Sequence, residues 1–162
     1  MKKIICISII LSQITLSSVK ADNIDGDAVV NIKPALTIVE VSPLHFGNIT
    51  LGHKGSDSIT MGHNGNMSST ANMALFNGSR STGQFAITGE PYSTVSIKFN
   101  DFSDLESFQN TIKLRAFTTP NRHPTLSENG TVIISIGAKL IINPHQASGT
   151  YQGGYPITID YF

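Results

Sequence analysis

The chain is poor in residues that form covalent cross-links and in charged residues. Its 162 residues include one cysteine, Cys6, and no tryptophan, and only 14% of them are charged. A single cysteine cannot form an internal disulfide, so the hydrophobic core alone must stabilise the fold. After residue 16, no apolar run reaches the roughly 18 residues of a membrane-spanning helix, which argues against such a helix in the rest of the chain.

Residues 1–21 have the composition of a secretory signal peptide. The basic start MKK precedes the mostly apolar run Ile4–Leu16, and VKA at residues 19–21 ends in a small residue. The apolar run has 13 residues, which is too short to span a bilayer comfortably. We therefore expect cleavage after Ala21 and export to the periplasm, followed by the cell surface or the extracellular medium.

Cleavage would also change the charge of the chain. Removal of three lysines leaves 8 basic and 11 acidic residues, a net charge of −3, and it removes the only cysteine. This weakly acidic balance argues against nucleic acid or an anionic membrane as the main partner.

Apolar and polar residues alternate with period two through most of the chain. The pattern is strongest in Thr94–Phe99, Thr111–Ala116 and Thr131–Ile136, and it recurs in GQFAIT, Leu36–Val41, Ser58–Met61 and Asn72–Phe76. Turn residues separate these segments. Only Asp101–Asn110 has a helical signal, because Ser103 and Glu106 have the spacing of a capping box. The sequence predicts an all-β, immunoglobulin-like antiparallel sandwich.

An alternating segment also begins the chain that cleavage would leave. In residues 22–33 one face consists of Ile24, Gly26, Ala28, Val30 and Ile32, and Pro34 ends the pattern. Two interpretations remain open. The segment is either the first strand of the fold or a detached donor strand that pairs with a neighbouring sheet edge. In both interpretations residues 34–162 form the sandwich domain.

The C-terminal segment has the same pattern up to its last two residues. One face consists of Gly149, Tyr151, Gly153, Tyr155, Ile157, Ile159 and Tyr161. Proline cannot donate a hydrogen bond to a sheet, so Pro156 indicates an edge strand or an interruption of its neighbour. Gly153 and Gly154 permit a bend or a close backbone approach.

The sequence contains no convincing set of catalytic, cofactor-binding or metal-binding residues. The motifs G-x-S-x-G and H-E-x-x-H and a phosphate-binding glycine loop are absent. GHKG and GHNG place His53 and His63 on either side of Asp57. Because two histidines and one aspartate are too few ligands for a good metal site, we interpret both segments as glycine turns. We therefore predict that the protein is not an enzyme and needs no cofactor.

Three segments resemble the domain of unknown function 4402 family of secreted bacterial β-domains. They are PALTIVEVSPLHFGNI, QFAITGEPYSTVSIKF and IGAKLIINPHQASGTYQGGYPITIDY. The resemblance implies a β fold and export, and it implies no established activity. The C-terminus also resembles pilus subunits of the chaperone–usher route, which have a glycine fourteen residues from the end and an aromatic residue next to last. Gly149 and Tyr161 occupy these positions, and Gly26 matches the glycine of their N-terminal extension.

The pilin resemblance implies that copies of the chain polymerise. We expect a fimbria-like surface subunit that donates the face of Ile24, Gly26, Ala28, Val30 and Ile32 to a groove of the next copy. The terminal strand would form one wall of that groove, and a periplasmic chaperone could pair there before assembly. The alternative is a monomeric secreted adhesin or binding module with an immunoglobulin-like fold, in which the N-terminal segment pairs within its own chain.

Overall fold

The computed structural model describes residues 26–51, 55–70 and 74–162. The chain divides into two units, Met1–Ile32 and Lys33–Phe162. In the first unit, residues 26–32 belong to no strand and their side chains are exposed. The predicted signal peptide and Ile24 lie outside the described residues.

The second unit is built from short strands. In its described residues there are eleven strands and no helix, so none that could cross a membrane. The strands are β1 (Thr37–Ser42), β2 (Asn48–Leu51), β3 (Asp57–Met61), β4 (Met67–Ser69), β5 (Ala74–Asn77), β6 (Gly83–Thr88), β7 (Val95–Phe99), β8 (Phe102–Ser107), β9 (Asn110–Thr118), β10 (Thr131–Ile142) and β11 (Ile157–Tyr161). All named strand pairs are antiparallel, and the predicted all-β, sandwich-like class is confirmed.

Strand β10 organises the largest sheet. Its first half pairs with β6 from Thr131 to Ile136, and its second half pairs with both β3 and β9. The sheet continues from β6 to the edge strand β1, from β3 to β4, and from β9 to β8. Between its two halves β10 passes very close to the turn after β3. A Cβ atom at Gly137 would lie 2.5 Å from the Gly62 carbonyl carbon and 2.6 Å from the His63 nitrogen.

The prediction of a helix in Asp101–Asn110 is wrong. The segment forms β8 and the start of β9, joined by a two-residue turn in which Phe108 has a φ of 52°. Ser103 is buried and Leu105 is half-buried, which is a period of two. Pairing with the strongly alternating β9 prevails over the capping-box signal, because a single helix of this length is marginal in water.

The core lies between the sheets. Most of its side chains alternate along the strands, and Leu126 comes from the connection between β9 and β10. The buried residues of this core are Ile59, Ile87, Val95, Ile97, Ile112, Leu114, Phe117, Leu126, Ile134, Ile136, Ala138, Leu140 and Ile142. Three aromatic rings connect β7, β9 and the C-terminal segment. Phe99 and Phe117 stack with centroids 5.5 Å apart, and Phe117 and Tyr155 stack at 5.2 Å.

Seven strands have one named partner strand each within the described residues, namely β1, β2, β4, β5, β7, β8 and β11. Within the described residues, β1 pairs with β6, β11 pairs with β7, and β2 pairs with β5. Strands with only one partner expose a row of backbone N–H and C=O groups on the other side. Of these strands, β2 and β8 contribute residues to the site described next.

Candidate functional site

A groove of about 830 Å³ opens beside the C-terminal segment. One wall is residues 44–51, which lead into and include β2, and the other wall is residues 143–155. The floor consists of apolar side chains from β8, β9 and β10, namely Leu105, Ile112, Leu114, Leu140 and Ile142.

The floor of the groove belongs to the hydrophobic core. Leu114 is only 2% exposed, and Leu140 and Ile142 are each 4% exposed, yet all three line the groove. The protein therefore already covers almost all of these three side chains, and the half-buried Leu105 leaves more of its apolar surface open to the groove. The groove therefore reaches the margin of the core and has apolar side chains along its floor.

The C-terminal wall offers backbone groups to a partner. Between residues 149 and 156, the backbone–backbone hydrogen bonds of the described chain are the two that join Gln152 to Glu106, at 2.9 and 3.1 Å. Two glycines bring this wall close to β8. A Cβ atom at Gly149 would lie 2.6 Å from the Ser107 hydroxyl, and one at Gly153 would lie 2.5 Å from the Asp104 carbonyl oxygen. The close approach expected at Gly153 is present, whereas Gly154 faces open space.

Two tyrosines of the wall differ in their hydrogen bonding. The Tyr151 hydroxyl donates to the Ala147 carbonyl oxygen at 2.7 Å and accepts from the Gln146 amide at 2.8 Å. The Tyr155 hydroxyl is buried over Gly83 and has no hydrogen-bond partner in the described residues. Burial, together with the negative charge of Glu40, raises the pKa of the Tyr155 phenol to about 12.

The structure divides the predicted C-terminal residues into two groups. Gly149, Tyr151, Gly153 and Tyr155 line the groove. Ile157, Ile159 and Tyr161 lie on β11, outside the groove lining, and pack against the core. Pro156 comes directly before β11, which has β7 as its one partner in the described residues.

Tyr161 ties the end of the chain to the start of the domain. Its hydroxyl donates to the Pro34 carbonyl oxygen at 2.8 Å and accepts from the Glu90 backbone N–H at 2.9 Å. The Lys33 ammonium lies 4.8 Å from the centre of the Tyr161 ring and 3.5 Å from the Glu90 carboxylate. These contacts keep the last residues from fraying.

The predicted donor residues are exposed where the structure describes them. Gly26 and Ala28 are exposed, Val30 is 81% exposed and Ile32 is 85% exposed. Val29, which alternation places on the opposite face, is 94% exposed.

Sequence reasoning missed the second wall of the groove. It treated residues 42–48 and 51–57 as turns, although Leu44 and Phe46, then Ile49 and Leu51, alternate with polar or small residues. These four side chains pack against the core. His45 anchors this wall, because its backbone N–H and C=O both bond to Ser81, at 2.8 and 2.9 Å.

The described residues contain no cluster of three or more side chains that could hold a metal ion. Asp57 is 5% exposed and its carboxylate accepts hydrogen bonds from the Ser69 and Thr70 hydroxyls and the Ser58 backbone N–H. His63 lies in the turn between β3 and β4, and His53 lies outside the described residues. The carboxylate of Asp57 therefore has a structural role in fixing the β3–β4 hairpin.

Comparison with known proteins gives one match. The model of the family described as "Domain of unknown function (DUF4402)" matches residues 36–161, which include both walls and the floor of the groove. No curated protein and no solved structure matches the chain. The predicted family is confirmed, and the chain belongs to the DUF4402 family.

Proposed function

We propose that the protein is an exported structural subunit of the bacterial surface that assembles by β-strand donation. The N-terminal segment of one copy enters the groove of the next copy and completes its core. The observation that carries this proposal is the apolar floor, which consists of core residues and opens between two chain segments. The protein has no catalytic role in this proposal, and the family match supplies none.

The walls have the chemistry that an added strand requires. Edge-strand addition combines backbone hydrogen bonds with alternate side chains that enter pockets. The wall from Gly149 to Tyr155 has a single backbone bridge, and β2 has one partner strand in the described residues. A donor strand would pair with these free groups and place every second side chain on the floor.

The N-terminal segment fits the groove in length and in pattern. Residues 26–32 are seven residues, which extend over about 23 Å at ~3.3 Å per residue. The C-terminal wall from Gly149 to Tyr155 also has seven residues. Ala28, Val30 and Ile32 fall on one face of an extended segment, and Gly26 suits a point on the floor without space for a side chain.

Burial of the donor face would supply a long-lived contact. Full burial of an aliphatic side chain such as Val30 or Ile32 contributes about 1.5–3 kcal/mol. Both side chains are more than 80% exposed in the isolated chain, so most of this energy is still to be gained. Ile24, if it extends the same face, would add a third contribution.

The attachment point of the segment favours a second copy as acceptor. The segment leaves the domain at Lys33, which contacts Tyr161 at the last residues of β11. The groove begins at Tyr155, at the other end of that strand. A donor antiparallel to the C-terminal wall, like all strand pairs of the fold, must have its C-terminal end near Gly149. The chain's own segment has its C-terminal end near Tyr161, so it does not satisfy this condition.

The remaining parts of the proposal follow from strand donation. Before assembly the groove is open, so a periplasmic chaperone that pairs with the C-terminal wall would cover it. The site of action is then the periplasm and afterwards the cell surface. The alternative function, a monomeric secreted adhesin or binding module, requires the segment to pair within its own chain.

The test is the size of the exported protein in samples that are not boiled. We expect a ladder of multimers on a denaturing gel for the wild-type chain and only monomers for a truncation that starts at Pro34. Wild-type protein that is strictly monomeric would reject strand donation and favour the adhesin. Multimers that survive the truncation would show that another surface assembles the protein.

A further inference from the structure

A second cavity, a polar cleft of about 460 Å³, shares no lining residue with the groove. Its lining comes from the β3–β4 turn at residues 63–65, from residues 80–82 before β6, and from Ser42, Gln84 and Ser135 on three adjacent strands. Its volume lies in the range of small-molecule binding sites.

The cleft has an excess of hydrogen-bond donors over acceptors and carries positive charge. Arg80 is the formally charged residue in the lining of the cleft, and this lining contains no carboxylate. Within the described residues Arg80 forms no ion pair and no hydrogen bond, and the side chains of His63 and Gln84 likewise have no hydrogen-bond partner. Hydroxyl groups from Ser42, Thr82 and Ser135 complete the lining.

The positive charge of Arg80 indicates a ligand with a carboxylate. A guanidinium binds planar carboxylates in a bidentate geometry, which makes it the most specific donor of the cleft. The neutral hydroxyl and amide groups around it suit a ligand that also carries several hydroxyl groups.

A small apolar strip adjoins the polar cleft on the same sheet face. Gln84 of β6 pairs in register with Ser135 of β10, and two residues further along Ala86 pairs with Ile133 and with Val39 of β1. Residues two apart on a strand share a face. Val39 is 63% exposed and Ile133 is 65% exposed. Donors beside an apolar strip match a sugar ring, which has polar edges and apolar C–H faces.

The geometry points to a binding site for an acidic saccharide, with the sugar carboxylate on Arg80 and the hydroxyl groups on Gln84, Ser135 and their neighbours. The site gives the protein a ligand-binding activity in addition to the structural role proposed above. It does not depend on strand donation, because no groove residue takes part.

The test is a calorimetric titration of the purified exported protein with D-glucuronate, D-glucose and acetate in separate experiments. We expect glucuronate to bind more tightly than either of the other two, because only glucuronate offers both the carboxylate and the hydroxylated ring. Arg80→Gln should weaken glucuronate binding roughly tenfold or more, since it removes a charge-assisted hydrogen bond. The control is Arg115→Gln, at another exposed arginine, which should leave the affinity unchanged.

Each other outcome overturns the proposal in a distinct way. Acetate that binds as tightly as glucuronate would mean an anion site without saccharide recognition. Glucose that binds as tightly as glucuronate would mean that Arg80 does not bind the carboxylate. Equal loss in Arg80→Gln and Arg115→Gln, or no binding of glucuronate at all, would remove the cleft as a site. Unchanged thermal unfolding of both variants shows that a loss of binding is not a loss of fold.

Discussion

The substitution Val30→Asp tests strand donation at a single side chain. Val30 is 81% exposed in the isolated chain and lies on the proposed donor face. Under strand donation its burial in the groove would contribute about 1.5–3 kcal/mol in the wild type. The aspartate forfeits this contribution and brings a carboxylate against an apolar floor, where desolvation or protonation costs further free energy. A combined loss of about 4 kcal/mol corresponds to a roughly thousandfold weaker contact.

The neighbouring residue provides a matched control for this variant. Val29 is 94% exposed and alternation places it on the opposite face, which stays in solvent after insertion. Val29→Asp should therefore keep the ladder of multimers on an unboiled denaturing gel, whereas Val30→Asp should abolish it. Sedimentation velocity on the same samples gives the sizes in solution. The reasoning is refuted if both variants assemble alike, or if Val29→Asp is the more damaging.

Four further predictions concern the domain itself. The pKa of the Tyr155 phenol is raised from 10.0 to about 12 in the fold, so the stability that this group contributes is fully present below pH 10 and is lost as the pH rises towards 12. Tyr155→Phe should reduce this alkaline loss in denaturant titrations, and an identical profile would contradict the burial of that hydroxyl. Gly137→Ala should lower the free energy of unfolding by about 1–3 kcal/mol, because its Cβ atom would meet backbone atoms. Gly154→Ala is the control and should leave this free energy unchanged, because Gly154 faces open space. Equal effects of the two substitutions on urea unfolding would disprove the close approach at Gly137. Asp57→Ala should cost about 2–4 kcal/mol by leaving its hydrogen-bond donors without an acceptor, and chelator should leave the wild-type melting temperature unchanged.

The strands that were predicted from the sequence are those with one apolar face and one solvent-exposed face. Thr94–Phe99, Thr111–Ala116 and Thr131–Ile136 became parts of β7, β9 and β10, because alternation reports burial on one side directly. The second half of β10 was not predicted. There Ile136, Gly137 and Ala138 are buried in succession, so the buried Gly137 interrupts the period of two. Its twelve residues reflect pairing with three strands, which no local pattern shows.

The groove could be predicted from the sequence only in part. The alternating C-terminal residues predicted a wall, and Gly149, Tyr151 and Tyr155 do line the groove. The terminal strand itself is shorter than the pattern, since β11 begins only at Ile157. The opposite wall was missed because β2 has four residues and has Pro43, Gly47 and Gly52 close to it in the sequence. The cleft around Arg80 has no sequence motif, because the fold brings its residues together from separate turns and strands.

Cysteine cross-linking tests the central claim most directly. The chain without its predicted signal peptide has no cysteine, and a disulfide requires Cα atoms about 4.4–6.8 Å apart. Val30→Cys chains would be assembled with chains that carry Tyr151→Cys or Leu51→Cys, one on each groove wall, and oxidised. Strand donation predicts reducible dimers between the two kinds of chain for at least one wall, and none when Val30→Cys is replaced by Val29→Cys. Absence of such dimers, or a disulfide that forms only within a chain carrying both substitutions, would contradict it.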